Sequence, residues 1–168
     1  MIKPDSLRAR LTDAFPDEFR RETTRLALWV EDGHVRCNAG ADNLNFSLEY
    51  KLSVSIEGWR LPSLMIWIVL IDWLRIQQPD LLSPANSRTA IPFEADVISN
   101  EEVDIGFDLA LVESVVVLRR PDGGFDMRVV AEPERLFEDE GPLLPSGPVL
   151  KSIWGPGLTP EQLAPDLA

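Results

Sequence analysis

The chain has 168 residues, 45% of them hydrophobic and 26% charged, and a formal net charge of -12. This is the make-up of a single soluble domain with a real core, and its charge argues against a protein that grips nucleic acid, because carboxylates repel the phosphate backbone. Cys37 is the single cysteine and His34 the single histidine, so neither a disulfide framework nor a four-ligand Cys/His zinc site can be built within the chain.

The stretch KPDSLRARLTDAF predicts an opening helix, N-capped by Asp5 or Ser6, with Leu7, Leu11 and Ala14 on one face and Pro16 ending or restarting it. In RLALWVEDGHVRC two short apolar runs flank Asp32-Gly33, which predicts a hairpin with its tight turn at that pair. His34 and Cys37 invite a nucleophile reading, since imidazole can activate a thiol. Three positions apart on a strand they point to opposite faces, which favours an exposed histidine and a packed cysteine.

NFSLEYKLSVSIE alternates without a break, predicting a long half-buried strand with Phe46, Leu48, Tyr50, Leu52, Val54 and Ile56 facing inward. The segment from Pro62 to Pro79 predicts a helix of about four turns that is apolar on two sides. Leu64, Trp67, Ile71 and Leu74 form one stripe, and Met65, Val69, Trp73 and Ile76 form another roughly opposite. At about 2 kcal/mol per large apolar side chain, Met65, Val69 and Trp73 must be covered, either by a second layer of the same chain or by a neighbouring subunit. The apolar run from Leu64 is interrupted at Asp72, too short for the ~20 residues that cross a bilayer. No signal segment opens the chain, so a cytoplasmic protein is expected.

After a loop-like stretch at 79–90, IPFEADVIS and VDIGFDLALVESVVVLRR alternate again, with SNEE between them as the turn of an antiparallel pair. The pattern places Phe93, Ala95 and Val97, then Val103, Ile105, Phe107, Leu109 and Leu111, on a buried face. PDGG turns the chain into a last strand, FDMRVV. From Glu132 onward periodicity stops and half of the chain's prolines are found, with Leu143, Leu144, Val149, Ile153 and Trp154 as apolar anchors and Thr159-Pro160-Glu161 able to open a short helix. The expected organisation is an α+β domain over 1–131, a mainly antiparallel sheet packed by an N-terminal helix and a central buried helix, and an extended Pro-rich acidic arm over 132–168.

Catalytic motifs are missing: there is no GxSxG and no phosphate-binding loop ending in Lys and Ser or Thr. The unusual charge feature is the group Glu94, Asp96, Glu101, Glu102, Asp104 and Asp108, with no basic residue between Arg88 and Arg119. Alternation sets Glu94, Asp96, Asp104 and Asp108 opposite the apolar residues. Neighbouring carboxylates repel, so that face is wet, or paired with a basic partner or cation; the spacing of a calcium loop is missing.

Taken together, MIKPDSLRARLTDAFP, RLALWVEDGHVR, LEYKLSVSIEGW, LIDWLRIQQPDLL, FEADVISNEEVDIGFDLALVESVVV and DGGFDMRVVAEP resemble the tail completion protein R (GpR) family of temperate phages with contractile tails, from Met1 to about Pro133. The resemblance implies a structural protein with no catalytic residues and no cofactor, and a tail-terminator-like fold. It also implies a self-associating hexameric ring that caps the tail tube and meets the head. Its expected partners are further copies of itself, the tail tube and sheath proteins and the head-tail connector, with no membrane. It would act in the host cytoplasm during assembly and then in the virion tail. In that setting Glu94, Asp96, Asp104 and Asp108 would line a lumen through which DNA passes without specific binding, and Met65, Val69 and Trp73 would touch a neighbouring subunit. Two other readings compete. An acidic inhibitor that mimics DNA or neutralises a basic toxin predicts a monomer that binds basic proteins, and a small metal-dependent hydrolase predicts tight divalent-ion binding.

Overall fold

The computed structural model describes residues 1–37, 44–82 and 91–130. Within them, two long central strands, β2 (Phe46–Trp59) and β4 (Val103–Arg119), pair antiparallel over nearly their whole length. β1 (Leu26–Cys37) flanks β2, while β3 (Phe93–Val97) and β5 (Phe125–Val129) both lie on the far side of β4, β3 along its first residues and β5 along its last. All pairings are antiparallel. The helices α1 (Lys3–Ala14), α2 (Pro16–Phe19) and α3 (Leu64–Gln77) cover one face of this sheet. The fold is therefore α+β, as the alternation implied.

The inward phase of β2 holds: Tyr50, Leu52, Val54 and Ile56 are buried against Ile105, Phe107, Leu109 and Leu111 of β4. Leu7, Leu11 and Ala14 of α1 enter the same core, and Phe15, Phe19 and Trp59 close one end of it as an aromatic cluster. Such a sheet face is stable only when covered, and α1 and α3 supply the second layer.

Four expectations change. Asp32-Gly33 is no hairpin turn. β1 runs straight through it as one strand, and between the pairs Glu31–Lys51 and His34–Glu49 the two residues stand opposite Tyr50 alone. The positive φ of Asp32, 50°, is thus used in a β-bulge, which needs the same left-handed backbone as a tight turn. The first helix begins at Lys3, two or three residues ahead of the expected caps, and no local side chain caps it. Glu113 of β4 does so instead, accepting hydrogen bonds from the backbone N–H groups of Ile2 and Lys3 and from the Tyr50 hydroxyl. On β3 the phase is right, since Phe93, Ala95 and Val97 sit opposite Phe107, Ile105 and Val103, yet every residue of the strand is exposed. Finally, His34 and Cys37 do pair with Glu49 and Phe46 on opposite faces, but Cys37 is exposed rather than packed.

Among the described residues no strand pairs with the outer side of the middle of β4, between β3 and β5. The Gln78 Oε1 accepts the Val112 N–H at 3.1 Å, and the Lys3 ammonium donates to both Gln78 Oε1 and the Val112 carbonyl at 2.7 Å. A side chain of α1 and the one that ends α3 thus satisfy a sheet edge that would otherwise offer unpaired backbone to another chain. The expected Pro-rich arm from 132 onward, with its anchors and terminal helix, and residues 83–90 of the stretch expected to be loop-like lie outside the described residues.

Candidate functional site

The face of the sheet that no described helix covers gathers the acidic group. Register sets Asp96 of β3 directly opposite Asp104 of β4, and Glu94 opposite Gly106, two positions from Asp108 on the same side. All four acids therefore share the face away from the helices, as alternation required. Glu94 and Asp96 are exposed, whereas Asp104 and Asp108 are half-buried and engaged. The Asp104 carboxylate accepts the Gly58 N–H at 2.7 Å. Gly58, at φ 59°, belongs to the bulge that interrupts the β2–β4 register between Ile56 and Trp59. Asp108 accepts from the Ser53 hydroxyl at 2.7 Å and lies 3.8 Å from the Lys51 ammonium.

Lys51 is the residue that the sequence argument passed over. It projects from β2 in phase with Ser53 and Ser55, and its ammonium lies 2.6 Å from Glu31 and 3.9 Å from Asp32. The indole N–H of Trp29 also donates to Glu31, at 2.8 Å. The hydrogen bond from Lys51, helped by that from Trp29, holds the Glu31 carboxyl below its ordinary pKa, and Glu31 in turn raises that of Lys51. Both charges are thereby fixed through the neutral range. The signal was available in the outward phase of β2, where a lysine stands among serines.

Trp29, Lys51, Ser53, Ser55, Glu94 and Asp108 border a shallow open groove of about 390 Å³ across four strands, and Gly106 leaves its floor without a side chain. Among the described residues no group of three or more His, Cys, Asp or Glu side chains is placed to hold a metal ion. The groove presents fixed charge to solvent, mostly negative, with one aromatic wall.

The other sequence-predicted site falls differently. Met65, Val69 and Trp73 are buried within the chain itself. α1 covers them: the Trp73 indole donates to the Ser6 hydroxyl at 3.0 Å, and Arg10 pairs with the buried Asp72 at 2.6 Å. Of the two covers expected from sequence, a second layer of the same chain or a neighbouring subunit, the burial of these three side chains favours the first. The opposite stripe is the bare one. Leu64 and Ile71 are exposed, Trp67 and Ile68 are half-buried, and the Trp67 ring meets Phe93 and Phe107 at centroid distances of 5.0 and 5.5 Å. Leu74, placed in that stripe from sequence, is fully buried.

Among the described residues no helix is long and apolar enough to cross a membrane. No solved structure matches the chain. A relative from Escherichia phage P2, named Tail completion protein R, is 29% identical over 134 residues, which are 79% of this chain and 84% of that protein. The family model described as P2 phage tail completion protein R (GpR) matches residues 1–133, the stretch whose segments carried the resemblance, and the chain belongs to that family.

Proposed function

We propose that this protein is a structural component of a contractile phage tail that completes the tail and takes no part in chemistry. It caps the tail tube and helps join tail to head, assembling with copies of itself into a ring, with tail tube, sheath and head-tail connector proteins as its partners. Its place is the host cytoplasm during assembly and then the virion tail. The family membership supplies the tail-completion role. The observation that supports the ring is the asymmetry of the sheet: among the described residues one face is covered by helices, and the other has no helix over it and carries Glu94, Asp96, Asp104 and Asp108.

Turned inward, such a face makes an acidic lumen past which DNA slides, because it lacks the salt-dependent grip of a basic wall. A closed ring needs two different patches on each subunit. The sheet ends in two unlike edges, the long bulged β1 and the short β3, which meet that need.

The experiment pairs assembly with ejection. Glu94 and Asp96 are the acids to reverse, because Asp104 and Asp108 also hold the bulge and Ser53. In a phage lacking its own copy of the gene, the protein carrying Glu94→Lys and Asp96→Lys should still give complete tails by electron microscopy, while DNA delivery falls at least tenfold in plating titre. Unchanged titre overturns the lumen assignment, and a light-scattering mass that stays monomeric with tail tubes present overturns the ring.

A further inference from the structure

Among the described residues, the exposed stripe of α3 is an apolar feature that the proposed function does not use. Leu64, Ile71 and Phe93 are each about half exposed or more, with Trp67 and Ile68 between them, and they form a continuous strip from the helix onto the edge strand. Such a strip normally marks a surface that something covers.

We propose that the segment 143–154 of the same chain folds back onto this strip. Three observations favour that occupant. β5 runs antiparallel to β4 toward the β3 end, and the Val130 N–H donates to the Ser114 carbonyl, so the chain leaves the described domain along the edge that carries Phe93. From the level of Ser114 to that of Phe107, where Phe93 pairs, is about 23 Å along β4 at ~3.3 Å per residue. The residues between Val130 and Leu143 span up to ~43 Å when extended, so the anchors reach with slack.

Charge supplies the second argument. The first part of the arm carries Glu132, Glu134, Glu138, Asp139 and Glu140 against Arg135 alone, so it is repelled by the acidic face and directed to the helix side. Chemistry supplies the third: Leu143, Leu144, Val149, Leu150, Ile153 and Trp154 match an aliphatic and aromatic strip. Attachment through a short tether gives the arm a high effective concentration at the strip, which favours its own chain over a neighbour's. The inference stands whether or not subunits close into a ring.

The test uses the full chain with Cys37→Ser, Ser63→Cys and Ser146→Cys, spin-labelled at the two new cysteines and diluted with excess unlabelled protein. Ser63 is exposed beside the strip and its side chain makes no capping hydrogen bond. A single narrow distance that survives dilution, and broadens both with Ile71→Glu and with Leu143→Ser plus Leu144→Ser, is the expected result. Ile71 is on the surface, so its variant should keep the circular dichroism of the parent. A broad distribution in the parent, a narrow one lost on dilution, or a narrow one indifferent to those substitutions each overturns the proposal. The second of these outcomes would hand the strip to the arm of a neighbouring subunit.

Discussion

Helix α3 carries two stripes of similar composition that the fold treats in opposite ways. Met65, Val69 and Trp73 are 3%, 0% and 3% exposed, while Leu64 and Ile71 are 58% and 46% exposed. The helical period reveals that both stripes exist, but the choice between them is made by α1, which lies over one and pins it through Ser6 and Arg10. A helix that is apolar all round therefore identifies two interfaces without saying which of them the chain uses for itself.

Substitution should separate the two stripes most strongly at Trp73. Trp73→Ala removes a buried indole and its hydrogen bond to Ser6, and urea unfolding should show a loss of about 3–5 kcal/mol. A loss below about 1 kcal/mol would mean that α1 does not hold this stripe in solution.

The two groups of carboxylates give a second, smaller contrast. Glu94 and Asp96 of the acidic face are exposed, but Glu113 is buried among the Ile2 and Lys3 backbone amides and the Tyr50 hydroxyl. Burial by itself raises the pKa of Glu113; the hydrogen bonds from Tyr50, Ile2 and Lys3, with the terminal ammonium, outweigh it and hold the carboxyl below its usual value. Burial first, and then Glu113, push the Tyr50 phenol well above its ordinary pKa, so Tyr50 stays a donor through the neutral range. Glu113→Gln should cost about 2 kcal/mol at neutral pH by weakening charge-assisted bonds to α1. Because the folded pKa is depressed, that stabilisation is complete above the unfolded value of about 4.3 and is lost as pH falls through the folded one. The gap between parent and variant should close in acid. A gap that persists unchanged would show that Glu113 acts through shape and not charge.

Much of this was legible in the sequence, because two periods were clean. The alternation in β2 and β4 fixed the core face, and the same alternation placed Glu94, Asp96, Asp104 and Asp108 together on the other. Glu113 shows what a pattern can hide: it falls in phase with Leu109 and Leu111, and an acid in core phase was the available sign of a buried structural carboxylate. Asp32-Gly33 failed for another reason, since a left-handed residue serves a bulge as readily as a turn and only the partner strand decides between them. Phe93 and Val97 were given the right face and the wrong burial, because alternation reports direction while cover depends on where the helices end.

The smallest effect is the one that sharpens the α3 comparison most. Ile71→Ser alters a side chain that is already half in water, so it should change global stability by no more than about 1 kcal/mol, against the several lost at Trp73. What it should change is association at the surface, read as reduced contact between the arm and α3 or as a shift in solution mass. A loss as large as that of Trp73→Ala would mean that the second stripe is also held by the folded chain. The two sides of α3 would then do the same work, and the surface left for a partner would have to be sought on the acidic face and the sheet edges.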